Sequence, residues 1–171
     1  MKMKEEMNIE VDENDNVIGL RPRKDFYSDK YIHRSSYLLL LNSKKEILIQ
    51  KRAPTKKWHP NKYTYIVCGT VANETYEETM HRRMMEEIGI SIPFKKLFKY
   101  KHFGENDKAF KMVFIGKTDK IIKPLKGEIK SMKWISLKSL KKDLEDHPEK
   151  YAPPFVRGME IFFEKYANKV I

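Results

Sequence analysis

A single cysteine, Cys68, stands in 171 residues. That excludes an internal disulfide framework and any zinc site built from several thiolates. Long apolar runs are missing too. The longest, Tyr37-Leu38-Leu39-Leu40-Leu41, falls far short of the roughly 20 residues that cross a bilayer. The opening MKMKEEMNIEVDEND has no apolar h-region, so no secretory leader and no membrane span are expected, and a reducing, cytoplasmic setting is the expectation. Acids are the minority sign: 24 Asp and Glu against 35 Lys and Arg leave a formal net charge of +11. Such a balance suits phosphorylated small molecules, nucleic acid or an anionic surface. The lysines are scattered and interleaved with acids, however, which reads as a solvated surface. Hydrophobic residues make up 40% and aromatics 12%, enough to place the chain among folded proteins and to fill one domain over residues 1–171.

What is present reads as mixed strands and helices. Met7–Val11 and Val17–Leu20 alternate around an acidic turn, which predicts an N-terminal hairpin within an extension over residues 1–30. Arg34–Leu41 and Glu46–Arg52 read as paired strands, Tyr63–Cys68 as another, and Gly69–Asn73 as a loop. Glu74–Ile88 is the clearest helix, with Tyr76, Met80, Met84 and Ile88 at i+4 and Gly89 as its stop. Strands follow near 96–103, 109–117 and 131–135. A short helix over Leu137–Leu144 precedes a last one from Pro153 to about Asn168. Strict βαβ alternation is lacking, so the expected class is α+β, a layered α/β/α sandwich with a mixed sheet and a C-terminal helix.

The stretch Glu74–Glu87 holds five Glu and two Arg, an acidic cluster in a basic chain. On a helical wheel Glu86 and Glu87 flank one edge of the apolar stripe, with Arg83 one turn earlier. Carboxylates grouped so can bind hard divalent cations, and they can equally pair with Arg83 at i+3 and i+4. Gly69, Glu74 and Arg82-Arg83-Met84-Met85-Glu86-Glu87-Ile88-Gly89-Ile90 together resemble the Nudix box, G-x5-E-x7-R-E-U-x-E-E-x-G-U, where U is bulky and aliphatic. The likeness extends over residues 8–170 to the branch holding the isopentenyl-diphosphate isomerases and related hydrolases. It is carried by Val11-Asp12-Glu13, Val17-Ile18-Gly19, His33-Arg34, Gln50–Lys56, Pro60-Asn61 and Trp134.

The resemblance implies a Nudix fold with the box loop and helix at 68–90, and Mg²⁺- or Mn²⁺-assisted attack of water on a diphosphate linked to another moiety, taken as a nucleoside diphosphate. By the same resemblance Glu86 and Glu87 are the metal ligands, and Arg82, braced by Glu74, orients them. Gly69 lets the backbone approach, and Glu128 is an extra acid that serves as base or ligand. Arg52, Lys56 and Arg83 match diphosphate contacts of the isomerases. Two departures stand out: Arg83 replaces the first glutamate of the box's triplet, and the spacing from Gly69 to Glu74 is one residue short.

Cys68 before a glycine, together with Arg83, keeps an isomerase reading open, since the isomerases carry a catalytic cysteine there. Their metal site resembles three histidines and two glutamates. His33 fits one of these, Thr70 stands where another is expected, and Glu105 or Asp107 would supply an acid. Phe155, after Pro154, occupies the isomerase indole position. A small core residue is the plainer reading of Cys68. Trp58 and Tyr63 are candidates for stacking or lid packing, and His59 and His102 read as bystanders. A weakly catalytic Nudix protein that binds a phosphorylated ligand or RNA is the third reading, and a homodimer through the hairpin is kept among the partners.

Overall fold

The computed structural model describes residues 4–125, 127 and 129–170. A mixed seven-stranded sheet forms the middle layer. Its strands are β3 (His33–Leu41), β4 (Glu46–Arg52), β5 (Tyr63–Tyr65), β6 (Val67–Thr70), β7 (Phe94–Gly104), β8 (Asp107–Lys117) and β9 (Ile129–Ser136). The main order is β5-β4-β3-β8-β7, with β6 on β3 and β9 on β4. β3 runs parallel to β8 along its whole length, from His33 opposite Ala109 to Leu41 opposite Lys117.

Period-two alternation on the central strand explains the layering. Leu38 and Leu40 face one core, with Met80, Met84 and Ile88 of α1 (Tyr76–Ile88) packed over them. Leu39 and Leu41 face the other, covered by α2 (Leu137–Asp146) and α3 (Pro153–Lys165) through Leu140, Phe155, Met159 and Phe162. This is the α/β/α sandwich that the sequence predicts. A short α4 (Ala167–Val170) follows a break at Tyr166, so the last helix is two pieces. The hairpin β1 (Met7–Val11) and β2 (Val17–Pro22) forms a separate two-stranded sheet, tied to the box loop by Ile9 N–H donating to the Val71 carbonyl at 3.1 Å.

Two sequence expectations change. β3 and β4 share only the pairs Leu40–Leu48 and Leu41–Ile47, whereas β4 pairs along its length with β9. The expected strand Tyr63–Cys68 divides at Ile66, whose carbonyl accepts from Gln50 Nε2 at 2.9 Å. The second half, β6, leaves β4 for β3 and continues through Gly69 and Thr70, which are therefore strand and not loop. That crossing carries Cys68 and Gly69 beneath Arg83 and Glu87 in the second half of the box helix.

Gly158 lets α3 sit on the sheet. A Cβ there would lie 1.9 Å from Tyr65 Oη, and Tyr65 is wholly buried. Gly158→Ala is expected to cost about 1–3 kcal/mol by overpacking, read as a fall in Tm of several degrees. An unchanged Tm would show that Tyr65 moves freely.

Candidate active site

A pocket of about 70 Å³ opens where the box helix, β3, β4, β6 and β8 meet. Its first wall is the box. Thr75 caps α1 by accepting from Glu78 N–H at 3.1 Å while Glu78 accepts from Thr75 N–H at 2.7 Å, and Gly89 ends the helix in the left-handed conformation at φ 68°. Glu74, just before this cap, accepts from Arg82 Nη2 at 2.6 Å and from Thr79 Oγ1 at 2.8 Å. Partial burial works to raise the Glu74 carboxyl, but the Arg82 guanidinium and the Thr79 hydroxyl outweigh it and hold the group below its ordinary value. Arg82 also donates from Nη1 to Glu86 at 3.1 Å. The bracing of the box by Glu74 and Arg82 is thus present as ion pairs.

Glu86 and Glu87 do not share one environment as the wheel suggested. Glu86 is exposed, whereas Glu87 is only 3% exposed. Glu87 Oε2 accepts from Gln50 Nε2 and Cys68 N–H, both at 3.3 Å. Arg83 joins the two carboxylates, donating from Nη1 to Glu86 at 2.7 Å and from Nη2 to Glu87. Its Nε donates to the Cys68 carbonyl at 3.1 Å. Gly69 makes this course possible, because a Cβ there would stand 2.3 Å from Arg83 Cγ. The close approach that Gly69 allows is that of the Arg83 stem.

Cys68 lines the pocket, with its thiol donating to the Tyr65 carbonyl at 3.5 Å. Burial first, and the Glu87 carboxylate second, push the thiol up to about 12, so it is protonated at neutral pH. Arg52 and Lys56 also line the pocket. Arg52 Nε donates to the Trp58 carbonyl at 2.8 Å, which holds the 53–62 loop over the pocket. Trp58 stacks on His33 at 5.0 Å and tilts against Tyr27 at 4.4 Å. Tyr63 packs on Tyr151 instead. Phe155, at the isomerase indole position, is fully buried in the core. Glu128 lies outside the described residues.

The pocket also holds His33 and Asp107, which the isomerase resemblance named, together with Lys111, which sequence reasoning missed. Asp107, 2% exposed, sits at the start of β8. Lys111, four residues along the same strand and 1% exposed, donates to both its oxygens at 2.9 and 2.8 Å. Three imidazoles surround the carboxylate: His33 Nε2 at 3.1 Å, His59 Nε2 at 3.6 Å and His102 Nε2 at 3.8 Å. His59 and His102 are therefore not bystanders. They come from a loop and from an antiparallel neighbour, and no sequence spacing links them. Glu105 stays exposed in the adjoining turn.

Burial lowers the His33 imidazole, and burial with Lys111 nearby lowers His102 to about 4. Burial alone would raise Asp107, yet Lys111, His33 and His59 hold it well below the usual carboxylate range. Each group has a folded value below its unfolded one. Its contribution is complete above the unfolded value and is lost on acidification. Stability should therefore fall as the pH drops from 6.5 to about 4, where the unfolded histidines bind protons that the folded ones refuse. Thermal melts across this range check it. His102→Gln should flatten the slope, and an identical slope would remove His102 from the account.

The NUDIX domain family model matches residues 31–155, and the chain belongs to the NUDIX family. It is a Nudix hydrolase. The chain is 43% identical over 169 residues to the prenyl-diphosphate phosphatase of Methanosarcina mazei, covering 96% of this chain and 99% of that protein. It is also 30% identical to isopentenyl-diphosphate Delta-isomerase 2 of Photorhabdus laumondii, covering 96% and 92%. A crystal structure from Deinococcus radiodurans shares the fold, with a TM-score of 0.73 at 24% identity over 83% of this chain and 90% of that one.

Proposed function

We propose that the protein hydrolyses a prenyl diphosphate with the help of Mg²⁺ or Mn²⁺. The observation that carries this reading is one pocket lined by Glu87 and Arg83 of the box together with Arg52 and Lys56. The similarity to a prenyl-diphosphate phosphatase over nearly the whole chain supports the substrate class. Tyr37, Trp58, Ala152 and Pro154 supply apolar lining for the organic group. That favours a prenyl moiety over the nucleoside expected from the box alone. The site is also lined by polar side chains already bonded to one another, which leaves little to read a base edge.

The donor set fits a divalent ion. Glu86 and Glu87 converge on one positive group, the Arg83 guanidinium, and two carboxylates plus substrate phosphate oxygens are a usual Mg²⁺ environment. When bound, the ion supplies charge neutralisation and a more acidic water. Glu86 and Glu87 would hold it. Arg82 orients Glu86, and Gln50 with the Cys68 amide orients Glu87. Arg52, Lys56 and Arg83 would donate to diphosphate oxygens. Thr70, standing where the isomerase resemblance expects an imidazole ligand, argues against isomerisation. A binding role without turnover is favoured by one feature, the occupation of the space between the carboxylates by Arg83.

Phosphate release from isopentenyl, dimethylallyl and longer prenyl diphosphates, against ADP-ribose and nucleoside triphosphates, tests the proposal. Prenyl substrates should lead in kcat/KM by at least about 100-fold, since a pocket lacking base-edge partners discriminates strongly against polar groups. Faster cleavage of a nucleoside derivative would overturn the substrate class. Conversion of isopentenyl to dimethylallyl diphosphate that stops in Cys68→Ser would overturn hydrolysis as the main reaction.

A further inference from the structure

The cluster on the pocket floor has the donors of a metal centre and an ammonium in the middle of it. Resemblance to the isomerases implies a divalent ion held by histidines and carboxylates near His33. His33 is here, with two further imidazoles from His59 and His102 and the carboxylate of Asp107. Yet among the described residues no group of three or more His, Cys, Asp or Glu is arranged to hold an ion. The residues do not fit the metal, and the reason is Lys111. Its Nζ donates to both Asp107 oxygens at 2.8 and 2.9 Å, and His33 Nε2 uses Oδ1 as well.

We infer that the Lys111 ammonium is the permanent cation of this cluster and excludes a divalent ion from it. An ion bound to Asp107 at about 2.1 Å would lie within about 5 Å of Nζ, with no water between the charges. Lys111 and Asp107 already cancel, so an added ion would leave two buried positive charges with no counter-charge. A second acid could have absorbed one of them, but Glu105, the nearest acid in sequence, is exposed. Lys111 cannot withdraw cheaply either: it is 1% exposed, and its ammonium lies 5.4 Å from the Tyr37 ring. Among the described residues this leaves the box as the locus for the divalent ion proposed above, and sets a lysine where the isomerase resemblance implies another ion.

Co²⁺ is the probe, because imidazole ligation gives it a visible spectrum and histidine ¹⁵N shifts that carboxylates of the box do not. The wild-type protein should show neither at His33. Lys111→Ala should gain one Co²⁺ per chain with an affinity at least about 100-fold above wild type at this locus. That gain should vanish in Lys111→Ala combined with His33→Asn. Lys111→Arg keeps the charge and should stay metal-free at the cluster. Should Lys111→Ala fold only with Co²⁺ present, the ion replaces the lost charge and the inference stands. A folded Lys111→Ala that gains no ion overturns it. So does a wild-type or Lys111→Arg protein whose imidazoles ligate Co²⁺, and this arm holds even where Lys111→Ala does not fold. None of these readouts depends on turnover, so loss of the prenyl-diphosphate reading would leave the inference intact.

Discussion

Glu87→Gln should abolish nearly all hydrolysis, by about 1000-fold or more in kcat, and also lower Tm, whereas Glu86→Gln should lose activity with Tm almost unchanged. The two carboxylates stand side by side in sequence but not in environment. Glu86 is exposed and paired with two arginines on the helix surface, and surface pairs contribute little to stability. Glu87 is buried and accepts from Arg83, Gln50 Nε2 and the Cys68 amide. An amide in its place turns one acceptor into a donor facing donors, at about 1–3 kcal/mol, or about 3–10 °C in a domain of this size. Titration with Mn²⁺ should weaken in both variants. Equal Tm values for the two would refute the asymmetry, and full turnover in both would remove the pair as metal ligands.

That asymmetry marks where the sequence stops being legible. The apolar run of β3 and the i+4 stripe of α1 were legible, and a continuous apolar strand such as Leu38–Leu41 sits between two layers. The box spacing located Glu74, Arg82 and Arg83: the arginines meet Glu86 and Glu87 three and four residues on along one helix, and Glu74, just ahead of the N-cap, is reached by the long Arg82 side chain. A wheel cannot say what covers its edge. Glu87 is buried because β6 crosses from β4 to β3 beneath the helix, and that crossing depends on a strand break at Ile66 with no local signal. The Asp107 cluster is still less readable. Its members come from β3, the 53–62 loop, β7 and β8, and only the pairing of His33 with Ala109 and of His102 with Ala109 brings them together. Beyond the resemblance, which named His33 and Asp107, a further signal was available: Asp107 and Lys111 at i+4 on a strand share a face, and a lysine among Phe110, Met112, Val113 and Phe114 needs a buried partner.

Arg83→Glu is the variant that decides what the broken box rule means. If Arg83 merely damages a metal site, restoring the glutamate should raise metal affinity and kcat/KM. If it clamps the diphosphate, replacement should lower kcat/KM by about 10–100-fold through lost charge-assisted donors and added repulsion. The geometry favours the clamp. Arg83 is held on three sides, by Glu86, Glu87 and the Cys68 carbonyl, and its stem lies against Gly69, where no larger residue could stand. A guanidinium so placed, with Arg82 on the far side of Glu86, balances the two carboxylates when no ion is bound. It lines the pocket that Arg52 and Lys56 also line. Arg83→Glu would leave three carboxylates around a half-buried space, so its Tm should fall without metal and recover on adding Mn²⁺. A rise in kcat/KM for Arg83→Glu on any prenyl diphosphate would sink the clamp. A loss of kcat/KM with recovery of Tm by Mn²⁺ would establish that the arginine serves the substrate and not the metal.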